Sequence, residues 1–282
     1  MKITTLIENE CAEGGADFIC EWGLSLHLEC GEHSILFDVG KTGAFADNAA
    51  RLGVDIASVD AMVLSHHHAD HGGGLPRFFD HNSGASVYLA SPPAGECYIK
   101  IFSLFKRHIG FDNSIMGAHP ERFVVVSETT EILPNVFVFP AISGSHPRPR
   151  GNTQLYVEHE GRLYHDDFSH EIVMAIKDGE ALVIFTGCSH NGLLNMVDTV
   201  VHRFPGLPVK AVIGGFHLIT AIPLNRMAGS KREIEALGRA VLDYPIEMTY
   251  TGHCTGAKAF TVLKSIMGDR LVQINTGTCF EV

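Results

Sequence analysis

Seventeen histidines among 282 residues give this chain its most reactive chemistry, because imidazole binds metals and moves protons near neutral pH. Their placement says more than their number. The densest stretch is Ser65-His66-His67-His68-Ala69-Asp70-His71-Gly72-Gly73-Gly74-Leu75, directly after the apolar run Ala61-Met62-Val63-Leu64. In an extended turn, residues two apart project to one side, so His66 and His68 face a common point. His67 points oppositely and is not expected to be a ligand. Asp70 and His71 lie on the following bend and can address a second point nearby. Neutral imidazoles with a carboxylate suit Zn²⁺ first, with Mn²⁺, Fe or Mg²⁺ as alternatives. A pair of such ions about 3.5–4 Å apart can hold a bridging hydroxide.

Three more apolar runs release a histidine in the same way. Ala181-Leu182-Val183-Ile184-Phe185 leads to Cys188, Ser189 and His190; Val209 to Ile213 leads to His217; Ile246 to Thr251 leads to His253. Loops at the carboxyl ends of strands converge on a rigid edge, where α/β proteins build sites. One buried histidine is most simply a hydrogen-bonded core residue. Four strand-loop-His units point to one shared site.

The elements that must position these residues read as α/β with much sheet. Strands are expected at 2–8, 25–31, 33–40, 61–65, 86–90, 122–127, 135–142, 154–164, 180–187, 209–215 and 246–252, with hairpin turns at Gly31-Glu32 and Glu160-Gly161. Ala44 to Leu52 alternates as an amphipathic helix closed by Gly53, and Ser230 caps a helix running to Leu242. No linker divides the chain, which reads as one domain over 1–282. Residues 91–120 read as an inserted helical flap. Its Lys100, Lys106, Arg107 and His108 either meet a substrate phosphate or form a solvated face. Arg148 and Arg150, in Ser143 to Asn152, either line a pocket or belong to a polar loop.

Composition removes other classes. With 21 basic against 32 acidic residues, a net charge of −11 argues against a nucleic-acid footprint. Apolar runs fall far short of the roughly 20 residues that span a bilayer, and the N-terminus lacks signal-peptide character. A cytoplasmic protein is expected, with its seven scattered cysteines as reduced thiols. Homo-oligomerisation stays open. No G-x-S-x-G elbow, P-loop or dinucleotide fingerprint is present.

The His66-to-His71 stretch, an HxHxDH motif between a hydrophobic strand and a Gly-rich helix start, resembles the metallo-β-lactamase superfamily. Phe37-Asp38-Val39-Gly40, His190 and the late Gly252-His253-Cys254-Thr255-Gly256 loop fall in the matching order. Segments 21–29, 35–54, 64–75, 185–197, 213–218 and 251–256 are closest to one branch, the dihydropterin-6-yl-methyl-4-(β-D-ribofuranosyl)aminobenzene 5′-phosphate synthase-like proteins. The resemblance spans nearly the whole chain. It implies a four-layer αββα sandwich with two divalent metal ions at one edge. His66, His68 and His190 would hold one ion, and Asp70, His71 and His253 the other; Asp38 would support the ligand loop from behind.

One departure matters. Where the superfamily places a bridging aspartate, this chain has Cys188. Either Cys188 bridges as a thiolate, or no side chain bridges and His190 completes the set; the softness of a thiolate bridge favours the second. His146 is a weaker third-ligand candidate, His217 is expected near substrate or behind the ligands, and Cys254 is expected to be structural.

The chemistry implied is hydrolysis of a small phosphorylated or heterocyclic substrate by a metal-bound hydroxide, with Asp70 shuttling a proton. A synthase joining a dihydropterin-methyl diphosphate to an aminobenzene ribofuranosyl phosphate is the alternative that the branch implies. An iron-dependent redox enzyme on the same fold, and a ligand sensor without turnover, are the other classes. The motif yields a direct expectation. His68→Ala and His253→Ala each lower bound metal and abolish activity, whereas His67→Ala keeps both; metal analysis of the three purified variants checks it, and the reverse pattern contradicts the loop geometry.

Overall fold

The structure is a computed structural model that describes residues 1–15, 17–101, 105–220 and 226–282. Two seven-stranded sheets face each other. The first runs Cys279–Glu281, Lys2–Ile7, Ser25–Cys30, His33–Phe37, Ala61–Val63, Ser86–Ala90, Phe123–Val126. The second runs Leu271–Gln273, Ile246–Thr251, Val209–Ile213, Ala181–Phe185, Val173–Asp178, Val136–Phe139, Thr130–Leu133. Leu26, Phe37 and Val63 of the first sheet share one buried core with Met174, Phe185 and Ile213 of the second.

Helices cover both outer faces, giving the expected αββα order. Phe45 and Phe78, from helices Ala44–Leu52 and Leu75–His81, pack outside the first sheet. Helices Leu193–Arg203, Lys231–Asp243 and Ala257–Met267 cover the second through Val197, Ile234 and Leu263. Central strands are therefore buried on both faces, and a run such as Leu182 to Phe185 is continuously apolar. His33–Phe37, Ala61–Val63 and Ser86–Ala90 pair in parallel, as do Ala181–Phe185, Val209–Ile213 and Ile246–Thr251. Within each set the carboxyl ends emerge together.

Local signals hold where they rest on turn chemistry. Gly31 alone takes a positive φ (60) in the first two-residue hairpin loop, which suits a glycine at the first central position, and Glu160 and Gly161 take φ 50 and 74 in the second, as a type I′ turn requires. Ser230 caps its helix through a capping box with Glu233.

Two expectations are corrected. Among its described residues the insertion at 91–120 is largely not helical: Glu96–Ile101 and Phe105–His108 form a β-hairpin that pairs with Leu155–His159 in a separate four-stranded sheet, and of those described residues only Ser114–Ala118 is α-helical. Residues 102–104 lie outside the described residues. The stretch alternates, with Cys97 and Ile99 turned inward, so a neighbouring strand satisfies both its backbone and its apolar face. The thiols are not all reduced either. Cys11 and Cys20 are bonded, because hydrogen bonds from Gly15 to Ala12 and from Phe18 to Gly15 fold the segment back and bring their Cα atoms to 5.6 Å. No helix among the described residues is long and apolar enough to cross a membrane.

The glycines after His71 are packing positions. A Cβ at Gly73 would lie 2.2 Å from the Lys41 carbonyl and 2.5 Å from that of Ala69. Gly73→Ala is therefore expected to lower stability by about 1–3 kcal/mol. Gly84→Ala, where a Cβ meets nothing within 4 Å, is expected to change it by under about 0.5 kcal/mol. Urea midpoints of the two variants check this, and equal midpoints would contradict it.

Candidate metal centre

The histidine loop leaves strand Ala61–Val63 and is tied to the insertion by hydrogen bonds from Ala69 N to Ile109 O (2.7 Å) and Phe111 N to His67 O (3.4 Å). Behind it lies Asp38, fully buried and at φ 59, a backbone region that Asp tolerates better than most residues. Its carboxylate accepts from Ser65 N (2.8 Å), Ser65 Oγ (2.7 Å) and His71 Nδ1 (2.7 Å). One anion thus fixes the start and the end of the loop.

A neutral imidazole carries a single N–H, so the partner of one ring nitrogen decides what the other offers. His71 Nδ1 donates to Asp38. His66 Nδ1 donates to Ser65 Oγ at 2.9 Å, since that hydroxyl spends its proton on Asp38. His190 Nδ1 donates to Asn152 Oδ1 at 3.0 Å, and the amide is oriented by Asn152 Nδ2 donating to His190 O at 2.8 Å. His253 Nδ1 donates to Asn9 Oδ1 at 3.0 Å, oriented in turn by Asn9 Nδ2 on His253 O and by Gly23 N on the same Oδ1. All four Nε2 atoms are left facing inward. His68 presents Nδ1 instead, 3.1 Å from His66 Nε2.

These nitrogens converge. His71 Nε2 lies 3.2 Å from His253 Nε2 and 3.2 Å from Cys188 Sγ; Asp70 Oδ2 lies 3.5 Å from His253 Nε2. Ligand atoms of His66, His68 and His190 lie within 4.8 Å of one another, as do those of His66, His71 and Cys188. His190 Nε2 is buried without a hydrogen-bond partner. Ring nitrogens about 3 Å apart lie at the spacing of ligands that share one cation. The donor set fits divalent metal.

Electrostatics agree. Burial pushes His68 down to about 3, and holds His66 and His190 well below the ordinary imidazole range, so all three are uncharged. Burial would raise Asp70, but His71 and His253 hold it well below the usual carboxylate range. At His253 burial lowers the pKa, yet Cys254, Asp70 and Glu8 outweigh it and push it up to about 9. That value places a proton on His253 Nε2 beside Asp70 Oδ2, and a cation bound there would displace it to use the Nε2 lone pair.

The structure brings together His66, His68, Asp70, His71, Cys188, His190 and His253, with Asp38 behind them. Cys188 lies between the groups, its sulfur also within 4.8 Å of ligand atoms of His190 and His217; burial holds its thiol well above the ordinary value. His217 packs 4.2 Å from the His190 ring, both its nitrogens unpartnered. His67 turns away, with Nε2 3.4 Å from Ala90 O. His146 lies outside the centre, bonded to Asp198 and Tyr244.

The centre opens into a cavity of about 360 Å³ with Trp22, Ile99, Ile109 and Leu155 as an apolar wall, Lys41 and Arg107 as cationic lining and His108 beside them. The other basic candidates do not line this cavity. Lys106 pairs with Glu158 and Lys100 lies over the Tyr156 ring, since alternate strand residues face opposite sides. Arg148 donates to Asp167 O and Arg150 pairs with Glu233, and both line a separate cavity with His146. Glu8, Asn9, Trp22, Lys41 and Asn152 were not singled out from sequence. Glu8-Asn9 carried the available signal: polar residues released at a strand end.

The family model for the Metallo-beta-lactamase superfamily matches residues 28–253. In Methanocaldococcus jannaschii, 7,8-dihydropterin-6-methyl-4-(beta-D-ribofuranosyl)-aminobenzene-5′-phosphate synthase is 30% identical over 281 residues, covering 92% of this chain and 89% of that protein. The crystal structure of Tm1679, a metal-dependent hydrolase of the beta-lactamase superfamily, has TM-score 0.81 and 29% identity, covering 100% of this chain and 99% of its own. A diphosphatase of the PhnP family, at TM-score 0.54 and 14% identity with 100% and 97% covered, shares the fold.

Asp38→Asn keeps the shape and the tolerance of φ 59 but removes the anion behind His71. It is expected to weaken metal binding about 10–100-fold, measured by chelator competition; unchanged affinity would contradict the anchoring role.

Proposed function

The chain belongs to the metallo-beta-lactamase superfamily, and from that premise we propose that it is a dinuclear, zinc-type metalloenzyme that hydrolyses a small phosphorylated or heterocyclic substrate. The observation that carries this reading is the inward set of Nε2 atoms, each fixed by an outward hydrogen bond. In it, His66, His68 and His190 hold one cation and Asp70, His71 and His253 the other, with the Cys188 sulfur in reach of both. Bound divalent cations supply Lewis acidity, bringing the pKa of water toward neutrality and neutralising charge on a phosphoryl or ring oxygen.

The remaining work falls to the chain's own groups. Asp70 lines the cavity and is the carboxylate placed to take a proton from attacking water and return it to the leaving group. Trp22, Ile99, Ile109 and Leu155 seat an apolar ring and exclude bulk water. Lys41 and Arg107 receive an anionic group at the opening.

A second reading, synthesis, is favoured by that same wall, which suits a flat ring carrying an anionic tail, and by the name of the Methanocaldococcus jannaschii relative. The cationic centre would then stabilise a departing diphosphate. Metal-loaded protein incubated with aryl phosphodiesters, lactones, and the dihydropterin-methyl diphosphate with its aminobenzene ribofuranosyl phosphate partner decides between them. Hydrolysis is expected; condensation with diphosphate release supports synthesis; oxygen consumption by an iron-loaded form supports redox chemistry. No turnover of any kind contradicts an enzyme. Arg107→Ala is expected to raise KM for a phosphorylated substrate about tenfold, the loss of one charged hydrogen bond, with kcat within about twofold; an unchanged KM would remove Arg107 from the binding site.

A further inference from the structure

Of the five histidines assigned to the centre, four pass their outward nitrogen to a named acceptor: Ser65, Asp38, Asn152 and Asn9. His68 does not. With Nδ1 facing His66, its outward nitrogen is Nε2, which is buried and has no hydrogen-bond partner. Its surroundings are not apolar. Cys97, Asp166 and His170 are all buried, and one ligating atom from each lies within 4.8 Å of the others and of one on His68.

We propose that Asp166, held in place by His170, is the positioning residue that accepts the His68 Nε2 proton and fixes that ring as an Nδ1 ligand. The inference rests on the dinuclear reading above, because only a ligand committed through Nδ1 must carry its proton on Nε2. Three hydrogen bonds define the dyad. His170 Nδ1 accepts from His67 N at 3.3 Å, so its proton sits on Nε2, which donates to Asp166 Oδ2 at 3.1 Å; Asp166 Oδ1 accepts from Phe168 N at 2.8 Å. A carboxylate accepts several hydrogen bonds at once, which leaves capacity for His68. A metal-bound imidazole usually donates its other N–H to such a group.

The same hydrogen bonds argue against reading the cluster as a further cation site. His170 has no lone pair to offer there, since Nδ1 is taken by backbone and Nε2 carries the proton, and His68 would have to surrender its last N–H. The dyad also has a consequence for shape. Asp166 follows strand Arg162–His165 of the four-stranded sheet, and Cys97 lies on the hairpin whose Arg107 and Ile109 line the cavity. Seating His68 and placing that wall are therefore parts of one contact.

The test is metal affinity by competitive chelation on the full chain, alongside the visible spectrum of the cobalt form. Asp166→Asn is expected to weaken one cation of the pair about 10–100-fold and shift its cobalt bands, leaving the second cation as in wild type. Asp166→Glu is expected to recover most of that loss, which a purely structural role would not show. Should Asp166→Asn fail to fold, His170→Ala, which keeps the carboxylate, is expected to weaken the same cation several-fold. Unchanged affinity in whichever of Asp166→Asn and His170→Ala folds overturns the proposal while leaving the dinuclear reading intact. So does a third metal equivalent in wild type that disappears in Cys97→Ser. A wild-type chain that binds no metal pair overturns both.

Discussion

An imidazole has two nitrogens and, when neutral, one proton. That constraint organises the centre. His66, His71, His190 and His253 each give an Nδ1–H to an acceptor behind the ring, so their Nε2 atoms meet in front of it. Burial keeps His66, His68 and His190 uncharged, so their rings are available as ligands without first losing a charge. A cation would draw them into one coordination set, and the hydrogen bonds behind His66 and His190 prepare it by fixing how those imidazoles face.

The fold supplies what the tautomers need. Parallel strands in each sheet end at a common edge, so Asp38, the His66–His71 loop, Cys188, His190, His217 and His253 leave neighbouring strands and arrive together. The acceptors come from further away: Asn9 is 244 residues from His253 in sequence and Asn152 is 38 from His190. A double-sheet core buried between helical layers holds such partners to within hydrogen-bond tolerance. Small residues let the loops approach; a Cβ at Gly187 would sit 2.1 Å from Ser65 Oγ.

This division explains what could be read from the chain. The strand-end histidines are legible because each is a local pattern, an apolar run followed by a polar release; such runs also give the α/β class, whereas the four-layer arrangement is what the resemblance of the histidine motif implies. Asn9, Asn152, Lys41 and Trp22 are not legible, since nothing near them in sequence marks an amide that orients a distant ring or a wall that faces a distant cavity. The insertion was misread as helical because its inward alternation of Cys97 and Ile99 acquires meaning only with Leu155–His159 alongside. Cys11 and Cys20 looked unrelated until a tight turn between them was visible.

The result is a cluster of buried histidines beside a cavity whose wall is formed partly by the inserted hairpin; in the function proposed above, the first would set the chemistry and the second the substrate. The account is tested most directly by anomalous diffraction from a crystal of the metal-loaded protein. It predicts two peaks, one among His66, His68 and His190 and one among Asp70, His71 and His253, with Cys188 sulfur near both. A map without peaks at that edge, with the imidazoles turned outward or bonded only to backbone, would contradict it.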